Sequence, residues 1–244
     1  DRVAGLTFAA AAFTNLTQDH LDYHKDMESY FRAKTKLFTG YLTAPRRAVV
    51  NFDDPYGARL AAMLPGCVGY GLGAFSTGGW RPLLGEIVRH DGAGMTLSVF
   101  FEGQTFELAS PLIGRHNAQN LLTAMGVGFA LGLGPADMRA LAGFGGVPGR
   151  LERVENAKGL NVFVDYAHSP DALENVLRAV REVTAGRLFV VFGCGGDRDR
   201  AKRPLMAAAV SRYADVAVLT SDNPRHEDPL AIMDDARPGL SGAA

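Results

Sequence analysis

Apolar and polar positions are arranged in two different ways along this chain. Over residues 1–146, short apolar runs are interspersed with helical patterns. An apolar segment runs from Val3 to Phe13, a helix is expected near Met27 to Phe38, a strand at Ala48 to Asn51, and a second helix near Tyr56 to Leu64. A β-rich stretch follows, with strands at Gly85 to His90, Met95 to Phe101 and Gln104 to Leu108. Asp91-Gly92 and Glu102-Gly103 between them have hairpin-turn chemistry. Gly145-Gly146-Val147-Pro148-Gly149 then breaks any regular element and marks a boundary. From Leu151 onward the pattern becomes strand, helix, strand, helix, strand, the alternation of parallel βαβ units. Two domains are expected, residues 1–146 and 147–244.

The three strands of the second region share one design, a β-branched or aromatic run that stops in polar and charged residues. Val162 to Val164 gives way to Asp165-Tyr166-Ala167-His168-Ser169-Pro170-Asp171, Leu188 to Phe192 to the loop Gly193 to Arg200, and Val216 to Leu219 to Thr220-Ser221-Asp222-Asn223-Pro224-Arg225. In an open parallel sheet, ligands bind beyond the carboxyl ends of the strands, so the three loops are expected to converge on one crevice for an anionic ligand. The helix after the first loop has Ser169 as N-cap, Pro170 at its first position and a buried stripe of Leu173, Val176, Leu177 and Val180.

Composition narrows the classes. With 47% hydrophobic and 21% charged residues in 244, the chain has the makeup of a soluble globular protein. The 25 Lys plus Arg balance 26 Asp plus Glu to a net charge of -1, which gives no support for general nucleic-acid or membrane-surface binding. Cys67 and Cys194 are too few and too far apart for a disulfide framework or a four-ligand zinc site, and a reducing, cytoplasmic setting is expected. The longest uncharged stretch, Asn117 to Ala136, contains polar amides and four glycines, and reads as a buried helix and its exit rather than a membrane span. The chain begins at Asp1 without an initiator methionine and ends in a Gly-rich stretch, so both ends read as cut.

Several residues are candidates for chemistry. On a helix from Met27 to Phe38, Met27, Tyr30, Phe31, Leu37 and Phe38 fall in one arc and Lys34 falls at its middle, where a lysine must snorkel, meet an anion or change its charge state. Asp19-His20-Leu21-Asp22-Tyr23-His24 concentrates possible metal ligands, although solvated or capping roles serve such a cluster equally well. Asn117 and Asn120 share a helix face and can read a base edge, or Asn117 can simply cap the helix. Gly193-Cys194-Gly195-Gly196 after a strand suits phosphate or a tight turn. Arg198, Arg200, Lys202 and Arg203, with Arg225 from the next loop, form a basic cluster suited to an acidic small molecule or to solvent.

Thr14 to His24, the Asn117 to Asn120 helix, Gly149-Arg150-Leu151-Glu152, Asp165-Tyr166-Ala167-His168, Gly193 to Arg203 and Asp222-Asn223-Pro224-Arg225 together resemble the Mur ligase family. The likeness is greatest to its member that adds the third amino acid to the UDP-muramyl dipeptide of peptidoglycan. The resemblance implies an α/β protein, with part of the central ATP-binding domain followed by part of a Rossmann-like, doubly wound carboxyl-terminal domain. It also implies an ATP- and magnesium-dependent amide ligase in which a substrate carboxylate becomes an acyl phosphate and is attacked by an amine.

By the same resemblance Lys34 is carbamylated and, with His20, is a catalytic magnesium ligand. Asn117 and Asn120 contact adenine, and Arg150, Asp165 and His168 lie at ribose or phosphates. Arg2 touches the UDP-muramyl substrate, while Arg198, Asp222, Asn223, Pro224 and Arg225 form the amino-acid pocket. That tetrapeptide accompanies meso-diaminopimelate, whose distal carboxylate Arg225 can pair. The expected partners are small molecules and the expected state is a monomer. The chain has no Gly-x-x-x-x-Gly-Lys-Thr/Ser loop, so it is expected to be an inactive internal piece of a longer enzyme. The competing readings are a nucleotide-binding or scaffold module without catalysis, another Mur ligase, and folylpolyglutamate synthetase.

Overall fold

The fold is taken from a computed structural model, which describes residues 3, 5–16, 26–73 and 78–240. Arg2 and the whole cluster Asp19 to His24, including His20, lie outside the described residues. The chain divides into two compact units, Asp1–Arg89 with Gly94–Pro111 and Arg115–Phe144, and His90–Ala93 with Leu112–Gly114 and Gly145–Ala244.

The first unit carries a six-stranded sheet in chain order: β1 (Ala11–Phe13), β2 (Ala48–Asn51), β3 (Val68–Leu72), β4 (Arg81–Asp91), β5 (Gly94–Phe101) and β6 (Gln104–Ser110). The first four strands run parallel, and β5 and β6 pair antiparallel. All four β2 residues are buried, as befits a parallel strand covered on both faces. Three helices accompany this sheet: α1 (Met27–Gly40), α2 (Pro55–Ala61) and α3 (Arg115–Ala130).

The approach of α3 to the sheet is close. A Cβ on Gly126 would lie 2.6 Å from Val49 Cγ1, so only glycine fits there. The ends of β1 and β2 are tied by Asn51, whose Nδ2 donates to the Thr14 carbonyl at 2.7 Å. Asp54 caps α2 by accepting from the N–H groups of Tyr56 and Gly57, and its other oxygen accepts from Leu16. The sequence pattern gives no sign of β3, because its Val-Gly-Tyr-Gly-Leu run carries two glycines. Gly69 is there for space: the Phe52 ring lies where its Cβ would be.

The second unit holds β7 (Glu152–Val154), β8 (Val162–Val164), α4 (Pro170–Glu182), β9 (Phe189–Phe192), α5 (Lys202–Tyr213), β10 (Val216–Leu219) and α6 (Pro229–Ala236). β9 and β10 pair in parallel, as their sequence predicts. β8 corrects the expectation of three strands in one ladder: it pairs antiparallel with β7, and among the described residues it shares no ladder with β9. β8 has only three residues, with Val162 and Val164 both exposed, so little burial fixes its pairing. α4 follows its predicted design, with Ser169 Oγ accepting from Ala172 N–H and Leu173, Leu177 and Val180 buried, while Val176 is half-buried and Ala179 joins the buried face. The alternation of β9 buries Val190 and Phe192 and leaves Phe189 59% and Val191 69% exposed.

Candidate functional site

In α1 the buried face is Tyr30, Phe31, Thr35 and Phe38. Lys34 is exposed, with its amine 5.2 Å from the centroid of the Tyr30 ring. This corrects the expectation of a lysine centred on a buried arc. Thr35 takes the inward position because its hydroxyl donates to the Phe31 carbonyl at 2.9 Å, satisfying its one polar group within the helix. The buried stripe therefore rotates away from Lys34.

Asn117 and Asn120 occupy the first turns of α3 and meet each other, Nδ2 of Asn120 donating to Oδ1 of Asn117 at 3.2 Å. Alongside, the Gln119 amide and the Leu72 N–H both donate to Oδ2 of Asp53. The Arg115 guanidinium donates to the Leu72 carbonyl at 3.2 Å. The opening of this helix thus presents amide groups beside the carboxyl ends of parallel strands, where such sheets take up ligands.

In the second unit the fold gathers Arg150, Asp165 and His168 around a residue that sequence reasoning did not single out, Tyr166. The Arg150 guanidinium stacks 5.4 Å from the Tyr166 ring centroid, and His168 meets that ring edge-on at 5.4 Å. The geometry is set from below by Asp165. Its Oδ2 accepts from Leu151 N–H at 2.8 Å and its Oδ1 from Ala167 N–H at 2.7 Å. Leu151 has φ of 45°, a left-handed conformation that a leucine adopts only when its surroundings impose it. One carboxylate therefore fixes the backbone on both sides of the cation–aromatic stack.

The loops after β9 and β10 are stitched together. Gly196 N–H donates to the Asn223 carbonyl at 2.9 Å, and Nη1 of Arg225 donates to the Gly196 carbonyl at 2.6 Å. The approach excludes side chains, since a Cβ on Gly196 would fall 1.9 Å from the Pro224 carbonyl oxygen. A Cβ on Gly195 would touch Arg225 Nη1 at 2.9 Å and Arg198 Cγ at 3.8 Å, which brings both predicted arginines to one loop. Asp222, Asn223, Arg198 and Arg225 are exposed there, with Pro224 half-buried. Asp197 and Arg225 both have left-handed backbones, with φ of 53° and 51°.

The expected basic cluster is only partly available to a ligand. Arg200 forms a two-armed pair with Asp235 at 2.9 Å, and Arg203 is 2% exposed, donating to Asp235 and Glu227 at 2.7 Å each. Arg200 and then Arg203 hold the Asp235 carboxyl below the usual range, while Arg203 and the Asp197 N–H do the same for Glu227. Burial pushes the Cys194 thiol up, which suits an inert packing role on this loop. Arg198, Lys202 and Arg225 remain exposed. Glu227 and Asp235 escaped the sequence reading because nothing in their spacing marks them as partners of a buried arginine.

Comparison with known proteins gives this arrangement a family. The Mur ligase middle domain matches residues 1–128, and the Mur ligase glutamate ligase domain matches residues 149–243. The chain belongs to the Mur ligase family. It is 51% identical over 242 residues to a UDP-N-acetylmuramoyl-L-alanyl-D-glutamate--2,6-diaminopimelate ligase of Lawsonia intracellularis, covering 99% of this chain and 50% of that protein. A protein of the same description from Geobacter metallireducens is 49% identical over 247 residues, covering 98% of this chain and 47% of the relative. The chain spans about half the length of the curated relatives it matches. A solved structure with that description aligns with a TM-score of 0.65 at 34% identity, over 95% of this chain and 48% of the other. A folylpolyglutamate synthase of Mycobacterium tuberculosis aligns with a TM-score of 0.69 at 23% identity, over 95% of this chain and 52% of the other, and shares the fold. No helix among the described residues is long and apolar enough to cross a membrane.

Proposed function

We propose that the polypeptide to which this chain belongs is an ATP-dependent amide ligase that adds meso-diaminopimelate to UDP-N-acetylmuramoyl-L-Ala-D-Glu, working in the cytoplasm on small molecules. The observation that carries the reading is Arg225, held by the Gly196 carbonyl beside Arg198 on two interlocked loops. Two arginines carried on adjoining loops suit a ligand with a second carboxylate, because a guanidinium can grip one with paired, charge-assisted hydrogen bonds. Lysine lacks that distal carboxylate and would forgo those charge-assisted hydrogen bonds.

In this reading residues 1–146 supply the adenine and metal contacts, and residues 147–244 supply the ribose or phosphate contacts and the amino-acid pocket. Asn117 and Asn120 hold the adenine edge, and the Arg150 stack with His168 takes ribose or phosphate, kept in place by Asp165. Arg2 meets the UDP-muramyl substrate. Lys34 fits a magnesium site as a carbamate: its exposed amine is open to carbon dioxide, and the resulting oxygens are hard donors of the kind magnesium takes. His20 is its companion ligand. Among the described residues no group of three or more His, Cys, Asp or Glu gathers to hold a metal. When bound, magnesium would spread the charge that develops on the transferring phosphoryl group.

The test is phosphate release by the complete polypeptide with ATP, the UDP-muramyl dipeptide and either meso-diaminopimelate or lysine. Release with meso-diaminopimelate and background with lysine supports the reading. Release with lysine alone refutes the specificity, and release with neither refutes the activity.

A further inference from the structure

We propose that Arg203 is a positioning residue for the amino-acid pocket, setting the guanidinium of Arg225 through the peptide unit that joins Gly196 to Asp197. The inference rests on the pocket assigned above. That one peptide unit is held at both ends: its N–H donates to Oε1 of Glu227 at 2.5 Å, and its C=O accepts from Nη1 of Arg225 at 2.6 Å. A peptide unit is planar, so fixing the direction of its N–H fixes its carbonyl on the opposite side. Oε1 of Glu227 in turn accepts from Nη2 of Arg203 at 2.7 Å. The order of control runs from Arg203 to Glu227, to the peptide, to Arg225.

Arg203 is built to hold this position. It is 2% exposed, and its fork reaches two carboxylates from different elements: Glu227 on the loop after β10 and Asp235 on α6. Nη2 also approaches the Gly195 carbonyl at 3.4 Å, on the loop after β9. Lysine cannot make this set, because a single ammonium lacks the planar fork. Nε of Arg203 is buried with no hydrogen-bond partner among the described residues, a cost that the two carboxylate pairs have to offset. The left-handed backbones of Asp197 and Arg225 lie on either side of the Glu227 link, where strain has to be held by the surroundings.

The experiment uses the complete polypeptide with Arg203→Lys, Glu227→Gln and the double variant Arg203→Met/Glu227→Met. The double variant removes both charges and keeps the interior filled, which protects folding where Arg203→Met alone would strand two carboxylates. Two quantities are read: KM for each substrate, and the exchange rate of the Asp197 amide hydrogen. The expected result is at least a tenfold rise in KM for meso-diaminopimelate, with KM for ATP within twofold, and at least tenfold faster exchange at Asp197. A parallel rise in KM for all substrates, or unchanged exchange in the folded double variant, overturns the proposal. Should the unaltered polypeptide fail to turn over with meso-diaminopimelate, the proposed activity falls. The exchange rate then decides the positioning role alone, acceleration supporting it and no change overturning it.

Discussion

Leu151 donates its backbone N–H to Oδ2 of Asp165 at 2.8 Å, and that bond holds a buried leucine in a left-handed conformation with φ of 45°. Asp165→Ala would orphan this N–H and that of half-buried Ala167, at roughly 1–3 kcal/mol for the buried Leu151 donor and less for Ala167. The expected outcome is a lower denaturation midpoint together with a weakened ATP affinity, because Arg150 precedes Leu151 directly. Denaturant titration and nucleotide binding measure the two effects, and an unchanged midpoint would contradict the strut role.

Lys34 separates chemistry from stability. Lys34 is exposed and its amine lies against the Tyr30 ring, so Lys34→Ala should cost no more than about 1 kcal/mol of stability. The same change in the complete polypeptide should abolish turnover, and excess bicarbonate should not rescue it. Near-normal turnover would remove Lys34 from the metal site.

Gly196 is where the two pocket loops touch. Gly196→Ala would place a methyl 1.9 Å from the Pro224 carbonyl oxygen, so the loops must part. Overpacking of this kind typically costs about 1–3 kcal/mol. The prediction is a lower melting temperature and a raised KM for the amino-acid substrate, and unchanged values for both would contradict the observed approach.

Glu227 and Asp235 are both held below the usual carboxylate range by arginines. A carboxyl with a depressed folded-state pKa contributes stability that is present above its unfolded pKa and lost as pH falls through the folded value. The melting temperature should therefore drop as pH falls below about 4, the ordinary carboxylate value. Glu227→Gln should show a shallower fall, and an identical fall in both proteins would mean the pairing is not formed in solution.

Much of this was legible in the sequence where the signal is local. Ser169-Pro170 announced α4 and its stripe, and the alternation after Leu151 announced the parallel pair β9 and β10. The Asp222 to Arg225 loop and Arg198 were legible as residues, and the structure adds the Gly196 carbonyl that holds Arg225. What was hidden depended on packing between distant segments. β3 is masked by its glycines, one of which makes room for Phe52. The arc containing Lys34 was misplaced because Thr35 reads as polar yet buries itself by bonding to Phe31. Arg200 and Arg203 read as members of a ligand-binding cluster because their partners, Glu227 and Asp235, lie 24 to 35 residues away.

The central claim is that Arg225, with Arg198 beside it, grips the distal carboxylate of a diamino diacid. Arg225→Ala should raise KM for meso-diaminopimelate by on the order of tenfold or more, since a hydrogen bond to a charged group contributes roughly 1.5–3 kcal/mol. The most direct measurement is a crystal structure of the complete polypeptide with meso-diaminopimelate bound. The account predicts both guanidiniums within hydrogen-bonding distance of that carboxylate, and both arginines pointing into bulk solvent would contradict it.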